Sequence, residues 1–207
     1  MYIMAFKGQK MKKIITSIII ATTLIPSLMA EGSNLYFGVD AFQGNNTYTY
    51  DTNIAPDYDW DNDSKGMRLK FGADLENSWK VQGYLSIEDF DNNNFSIGGE
   101  DGNLYELGVD VIKGLPLENN ITPFVLAGVS FGSMEIEGYD DDTISNVGLK
   151  IGVGVSYSFT PELEALIGID LKFRSWEEID GYVGNRYVEI ETTEEIVSPY
   201  IGLNYHF

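Results

Sequence analysis

Carboxylates are the most conspicuous reactive groups in the chain. The stretch DYDWDND sets Asp57, Asp59, Asp61 and Asp63 at alternate positions, and a second run holds Asp140, Asp141 and Asp142. Clustered carboxylates suit hard cations such as Ca²⁺. The calcium-loop template fails here, because Ser64 stands where it requires Gly and Lys70 where it requires Glu. No metal site is therefore assigned, and the acidic runs are read as solvated, mutually repelling surface. The one histidine, His206, would be the natural general base near neutral pH. Its candidate nucleophiles Ser156 and Ser158 fall on a different strand, so no catalytic group and no cofactor is assigned.

A third set of charges is balanced. Asp40, Glu88, Glu106, Asp110, Glu164 and Asp170 alternate along apparent strands with Arg68, Lys70, Lys80, Lys150, Lys172 and Arg174. Six acids against six bases on one face are expected to pair, since unpaired buried charge is costly. What these groups can do depends on the elements that carry them.

The 207 residues suit one moderate domain, and the absence of cysteine excludes disulfides and thiolate chemistry. A formal net charge of −19 argues against nucleic acid as a partner. Residues 11–30, MKKIITSIIIATTLIPSLMA, have the order of a secretory signal peptide: basic start, apolar run, small residues. The apolar run is too short for a spanning helix, which needs about 20 residues. Residues 1–30 are thus expected to be a signal peptide with its start at Met11 and cleavage near Ala30.

From residue 31 onward the pattern is all-β. Eight strands are expected near 34–43, 66–74, 78–88, 103–113, 121–132, 146–159, 162–174 and 196–207. Their connections alternate between long acidic segments, near 44–65, 89–102, 133–145 and 175–195, and the short turns at 75–78, 114–120 and 160–161. Such alternation puts all long loops at one end. Each strand approaches the roughly 9–11 residues that a tilted strand needs to cross a bilayer. One face is uncharged in its central spans, as in Leu35, Phe37, Val39, then Met67, Leu69, Phe71, then Leu149, Ile151, Val153, Val155. The other carries the twelve charges and several glycines.

Aromatic placement separates a lipid-facing surface from a soluble, lipocalin-like barrel. Phe37, Phe71, Trp79, Tyr157, Phe159, Tyr205 and Phe207 fall near the turn end, and Tyr105, Phe131 and Phe173 near the loop end. Two girdles around an aliphatic band are what membrane interfaces select. The expectation is an eight-stranded antiparallel up-and-down transmembrane β-barrel over residues 31–207, closed because lipid tolerates no open edge. The fifth strand fits least well, since Phe124 and Leu126 fall on the inner face.

The final residues, YIGLNYHF, resemble the C-terminal assembly signal of bacterial outer-membrane proteins, with Tyr200, Gly202, Tyr205 and Phe207 in its slots. The chain from residue 31 looks like the small eight-stranded barrels of OmpA/OmpX type, without the peptidoglycan-binding domain of the full-length OmpA proteins. The resemblance implies a place in the bacterial outer membrane, contact with lipopolysaccharide, and recognition by the barrel-assembly machinery.

Eight strands leave room only for side chains, so a closed, charge-filled lumen is expected. The alternatives are a narrow porin-like channel and, further off, a lipid A-modifying enzyme. The long segments hold 21 of the 32 acidic residues, against Lys65 and Arg186. With Tyr48, Tyr50, Tyr58, Trp60, Tyr139 and Trp176 they form the expected surface for envelope integrity and interaction with a ligand the sequence does not name. Divalent ions on this rim would bridge to lipopolysaccharide phosphates.

Overall fold

The computed structural model describes residues 34–53, 55–96, 100–117, 120–137, 143–183 and 186–207. The expected signal peptide, Tyr139 and Asp140–Asp142 lie outside the described residues. Strands β1 (Asn34–Thr52), β2 (Ala55–Asp74), β3 (Trp79–Phe90), β4 (Leu104–Gly114), β5 (Ile121–Glu135), β6 (Thr143–Ser158), β7 (Leu163–Trp176), β8 (Ile179–Val183) and β9 (Arg186–His206) form one antiparallel sheet that β1 and β9 close. β8 is not a ninth stave. β7 pairs with β9 as far as Ser175↔Thr193, and β8 resumes on the same strand at Ile179↔Ile190. One strand advances four residues while its partner advances three, which is a β-bulge. The barrel has eight staves.

The register fixes its dimensions. Following paired residues once around gives Tyr36, Gly72, Gln82, Asp110, Gly128, Lys150, Lys172, Ile196 and Asn46. The circuit returns to β1 displaced from 36 to 46, a shear of 10. With a rise of ~3.3 Å per residue and strands ~4.8 Å apart, eight strands at this shear tilt by about 41° around a backbone radius of about 8 Å. Inward side chains must meet near the axis of so narrow a cylinder.

Two segments expected as loops are mostly strand. Residues 44–65 form a paired hairpin in which Thr49↔Asp59 and Tyr48↔Trp60 continue the β1–β2 ladder, and 175–195 supplies β8 and the first half of β9. Asp, Asn and Gly disfavour strands only weakly, and cross-strand partners override that preference. At a 41° tilt a lipid band of about 25 Å takes only about ten residues of each strand. The rest of β1 and β2, about nine residues each, projects beyond it. The opposite end has tight turns: Leu75 N–H bonds the Trp79 carbonyl at 2.7 Å around the 3₁₀ turn Glu76–Ser78, and Phe159 N–H bonds Leu163 at 2.9 Å. Asn77 and Ser78 take positive φ there.

Burial alternates along the staves, as in β7, where Glu164, Leu166, Gly168, Asp170, Lys172, Arg174 and Trp176 turn inward and Ile167, Ile169, Leu171 and Phe173 outward. The outer aliphatic band runs through Leu69, Leu85, Val125, Ile151, Val153, Ile167 and Ile201. Phe71, Phe37 and Tyr205 are neighbours across three strands at the turn end, with Trp79, Tyr157, Phe159 and Phe207 also exposed. Tyr105 and Phe173 are exposed toward the other end. The β1–β9 ladder lapses between Phe42↔Tyr200 and Asn45↔Val197, opposite Ser198 and Pro199. Proline has no N–H to give, and the Ser198 hydroxyl donates instead to the Gln43 carbonyl at 3.1 Å.

Candidate functional site

All twelve charged residues assigned to the inner face turn into the lumen, where only Lys80 keeps appreciable exposure. They pair in three tiers. At the turn end Lys80 reaches Glu164 at 3.1 Å and Asp74 at 3.4 Å. Glu164 also accepts from Ser156 at 2.6 Å and Asn204 at 2.9 Å, and the His206 ring spans Asp74 (2.9 Å) and Glu164 (3.3 Å). The Glu164 carboxylate thus lies between Ser156 and His206, bonded to both.

The middle tier holds Arg68 with Asp170 (3.1 Å) and Asp40 (3.6 Å), Lys70 with Asp40 (2.6 Å), and Lys150 with Asp110 (2.9 Å). Gln82 ties the lower two tiers, accepting from Tyr36 at 2.9 Å and donating to Asp110 at 2.8 Å. Rings cover the cations: the Arg68 guanidinium lies 5.1 Å from the Tyr84 ring centre, and the Lys150 ammonium 4.1 Å from the same ring.

The upper tier centres on Arg174, wholly buried. Its guanidinium bonds Glu88, Glu106 (3.2 Å) and Glu194 (3.3 Å). Lys172 bonds Glu106 at 2.6 Å, Tyr84 donates to Glu106 at 3.1 Å, and the Trp176 indole donates to Glu194 at 3.0 Å. Sequence reasoning missed Glu194, placing it in an acidic loop. Its parity with Ile196, Ser198 and Tyr200 was the available signal.

Two inner-face glycines are covered by tyrosine rings. A Cβ on Gly72 would sit 2.4 Å from the Tyr36 ring, and one on Gly108 2.3 Å from the Tyr84 ring. Each glycine is the cross-strand partner of the tyrosine lying over it. Phe124 and Leu126, the misfits of the fifth strand, join Phe42, Leu166, Tyr200 and Ile112 in an apolar cluster inside the barrel. Toward the turn end lies a cavity of about 30 Å³, bordered by Lys70, Gln82, Phe124, Glu164 and Tyr200, enough for one or two waters.

Above the Arg174 tier a second apolar cluster lies at the loop end: Tyr48, Tyr50, Phe95, Leu104, Met134, Ile136, Ile144 and Trp176. This corrects the expected surface. Tyr48, Tyr50 and Trp176 are buried because the extended strands keep their inward parity beyond the lipid band. Tyr58 and Trp60 are exposed.

The alternating aspartates Asp57, Asp59, Asp61 and Asp63 line the outer face of the β1–β2 hairpin. Thr49 donates to Asp59 and Thr47 to Asp61, each at 2.9 Å. Side chains two apart on one strand stand about 7 Å apart. Among the described residues no three acidic or histidine side chains converge on a point that would hold a metal ion. Repulsion within this rim holds the Asp51 carboxyl above its usual pKa, chiefly through Asp57.

Tyr200 and Gly202 of the terminal motif face the lumen, while Tyr205 and Phe207 stand on the outer girdle. The family model for the outer membrane protein beta-barrel domain matches residues 18–207. The crystal structure of Neisserial surface protein A superposes with a TM-score of 0.53 at 18% identity, covering 86% of this chain and 100% of that one. Outer membrane protein AlkL, solved in lipid bilayers, superposes at 0.53 with 12% identity, covering 84% and 90%. OprG from Pseudomonas aeruginosa superposes at 0.50 with 13% identity, covering 82% and 96%. No curated protein matches the chain. In such barrels the tight turns are periplasmic and the long hairpins extracellular. A closed eight-stave register, a lipid-facing band between aromatic girdles and a match over most of the sequence lead to one conclusion: the chain belongs to the outer membrane protein β-barrel domain family and is a barrel of the bacterial outer membrane.

Proposed function

We propose that this barrel is a sealed, non-enzymatic envelope protein whose work is done on its acidic extracellular hairpins. The observation that carries the reading is the filling of the lumen. A wholly buried arginine joins three carboxylates across it, and an apolar cluster lies directly above. Water and ions passing through would have to separate these pairs inside a cylinder of about 8 Å backbone radius.

Planar-bilayer conductance of the refolded chain tests it, with closure first checked by a heat-dependent gel shift. The expected result is bare-bilayer current. Discrete, salt-dependent steps would overturn the sealed lumen and establish the narrow-channel reading. A deletion strain with altered lipid A mass would overturn the non-enzymatic reading.

Two partners follow from position. Lipopolysaccharide would surround the aliphatic band and reach the acidic rim, with divalent ions as bridges, so millimolar Ca²⁺ should raise the unfolding temperature in lipopolysaccharide-containing membranes. The assembly machinery would read Tyr200, Gly202, Tyr205 and Phe207. Phe207→Ala should then slow insertion in cells while leaving refolding into pure lipid nearly unchanged, and equal insertion rates would dismiss that role.

A further inference from the structure

Above the lipid band the wall of the barrel is uneven. β1 continues to pair on both sides, with β2 as far as Thr52↔Ala55, after a register shift beyond Tyr50↔Tyr58, and with β9 as far as Thr52↔Ile190. β2 does not. Its pairing with β3 begins only at Ser64↔Phe90, and one further bond runs from Asp91 N–H to the Asp63 carbonyl at 2.9 Å. Asp57–Asp61 is therefore the edge of a sheet, and among the described residues no strand lies beside it.

An edge presents a row of unpaired N–H and C=O groups, a template for an added strand. This edge is also patterned. One face carries Asp57, Asp59 and Asp61 at every second residue. The other carries Tyr58 and Trp60, which are 55% and 46% exposed, and the Tyr58 ring is held by stacking on Tyr50 at 4.9 Å. A strand added here would set one face of its side chains against carboxylates and the other against rings.

We propose that the Asp57–Asp61 edge binds an extended segment of a basic polypeptide, in which Lys or Arg alternates with apolar or aromatic residues, by adding it to the sheet. The acidic rim selects the sign of charge, the ring face selects the alternation, and the backbone row holds the register. A second copy of this chain is disfavoured as occupant, because it would lay aspartates against aspartates. The inference rests on the reading of the hairpins as the working surface and gives that surface a partner chemistry.

The test uses the full chain refolded in phospholipid nanodiscs and three synthetic decapeptides. One alternates Lys and Val, one is the same peptide N-methylated on the amides of one edge, and one holds the same residues in two blocks. The alternating peptide is expected to bind and to slow amide exchange at Asp57–Asp61. Each edge hydrogen bond is worth about fivefold in affinity, so losing three to methylation should weaken binding roughly a hundredfold. The combined variant Asp57→Asn, Asp59→Asn, Asp61→Asn should weaken the alternating peptide and flatten its salt dependence. Equal binding of all three peptides would overturn strand addition and reduce the contact to charge adsorption, leaving the rim as the working surface. Absence of binding by any peptide would also overturn it, while the sealed-lumen reading would still stand or fall on conductance.

Discussion

Replacing Arg174 with leucine isolates the contribution of the upper tier. The guanidinium is the cation shared by Glu88, Glu106 and Glu194, all three buried. Without it, Glu106 retains Lys172 at 2.6 Å and Tyr84 at 3.1 Å. Glu88 retains the Ser64 hydroxyl at 2.7 Å, and Glu194 retains the Trp176 indole at 3.0 Å and the Tyr48 hydroxyl. Two carboxylates thus lose their cation in a site without solvent. Removing one partner of a buried ion pair typically costs about 3–5 kcal/mol, and leucine restores part of the lost packing without restoring charge. The expected loss lies in that range, measured by urea unfolding in lipid vesicles with tryptophan fluorescence as the signal. The triple variant Arg174→Leu, Glu88→Gln, Glu194→Gln removes the stranded charge and should recover at least about half of the loss, since matched neutral replacements of buried ion pairs are often tolerated. A single-variant cost below about 1 kcal/mol would refute the claim that Arg174 neutralises a dry cluster, and would point to water reaching the upper lumen.

Gly108→Ala should displace the Tyr84 ring, whose Cζ lies 2.3 Å from the new Cβ, and so break its bond to Glu106. A cost of about 1–3 kcal/mol is expected in the same unfolding assay. Asp57→Asn should slow amide exchange across the β1–β2 hairpin at pH 7 and make no difference in strong acid. Asp51 has a raised pKa because Asp57 is beside it. The folded hairpin therefore holds its proton more tightly than the unfolded chain, and the penalty develops as pH rises through that raised value and vanishes below about 4. Tyr48→Ser should cost about 3–5 kcal/mol, since the ring is buried against Phe90 and Phe95. Tyr58→Ser, at an exposed position, should cost less than about 1 kcal/mol.

The staves were legible because a two-residue period writes both faces at once. In β7 the alternation of Ile167, Ile169 and Leu171 with Gly168, Asp170 and Lys172 leaves no other assignment. The extensions were harder. DYDWDND reads as loop by composition, yet its aspartates at every second residue are themselves a strand pattern, matched across β1 by the alternating Thr and Tyr of NTYTYDT. Composition says how strongly a residue favours a strand, and pairing decides whether it forms one. Glu194 was hidden for the same reason, because its neighbours are acidic and exposed while it alone finds Arg174. The pairing of individual lumen charges was not legible. It depends on the shear, which brings residues such as Glu88 and Arg174 together from distant strands, and no local pattern encodes that offset.

The seam between β1 and β9 bears on how the barrel comes to exist. Tyr36 pairs with His206, so the closing ladder joins residues 206 − 36 = 170 positions apart. Contacts of such long range form late and slowly. Until they form, both outermost strands carry raw edges that lipid does not tolerate. All seven ladders between consecutive staves can zip from their own turns, but the eighth, the β1–β9 seam, waits until both of those strands are in place. Assembly is therefore timed by the final strand, and a chain stalled before it would be the one most exposed to pairing with its neighbours.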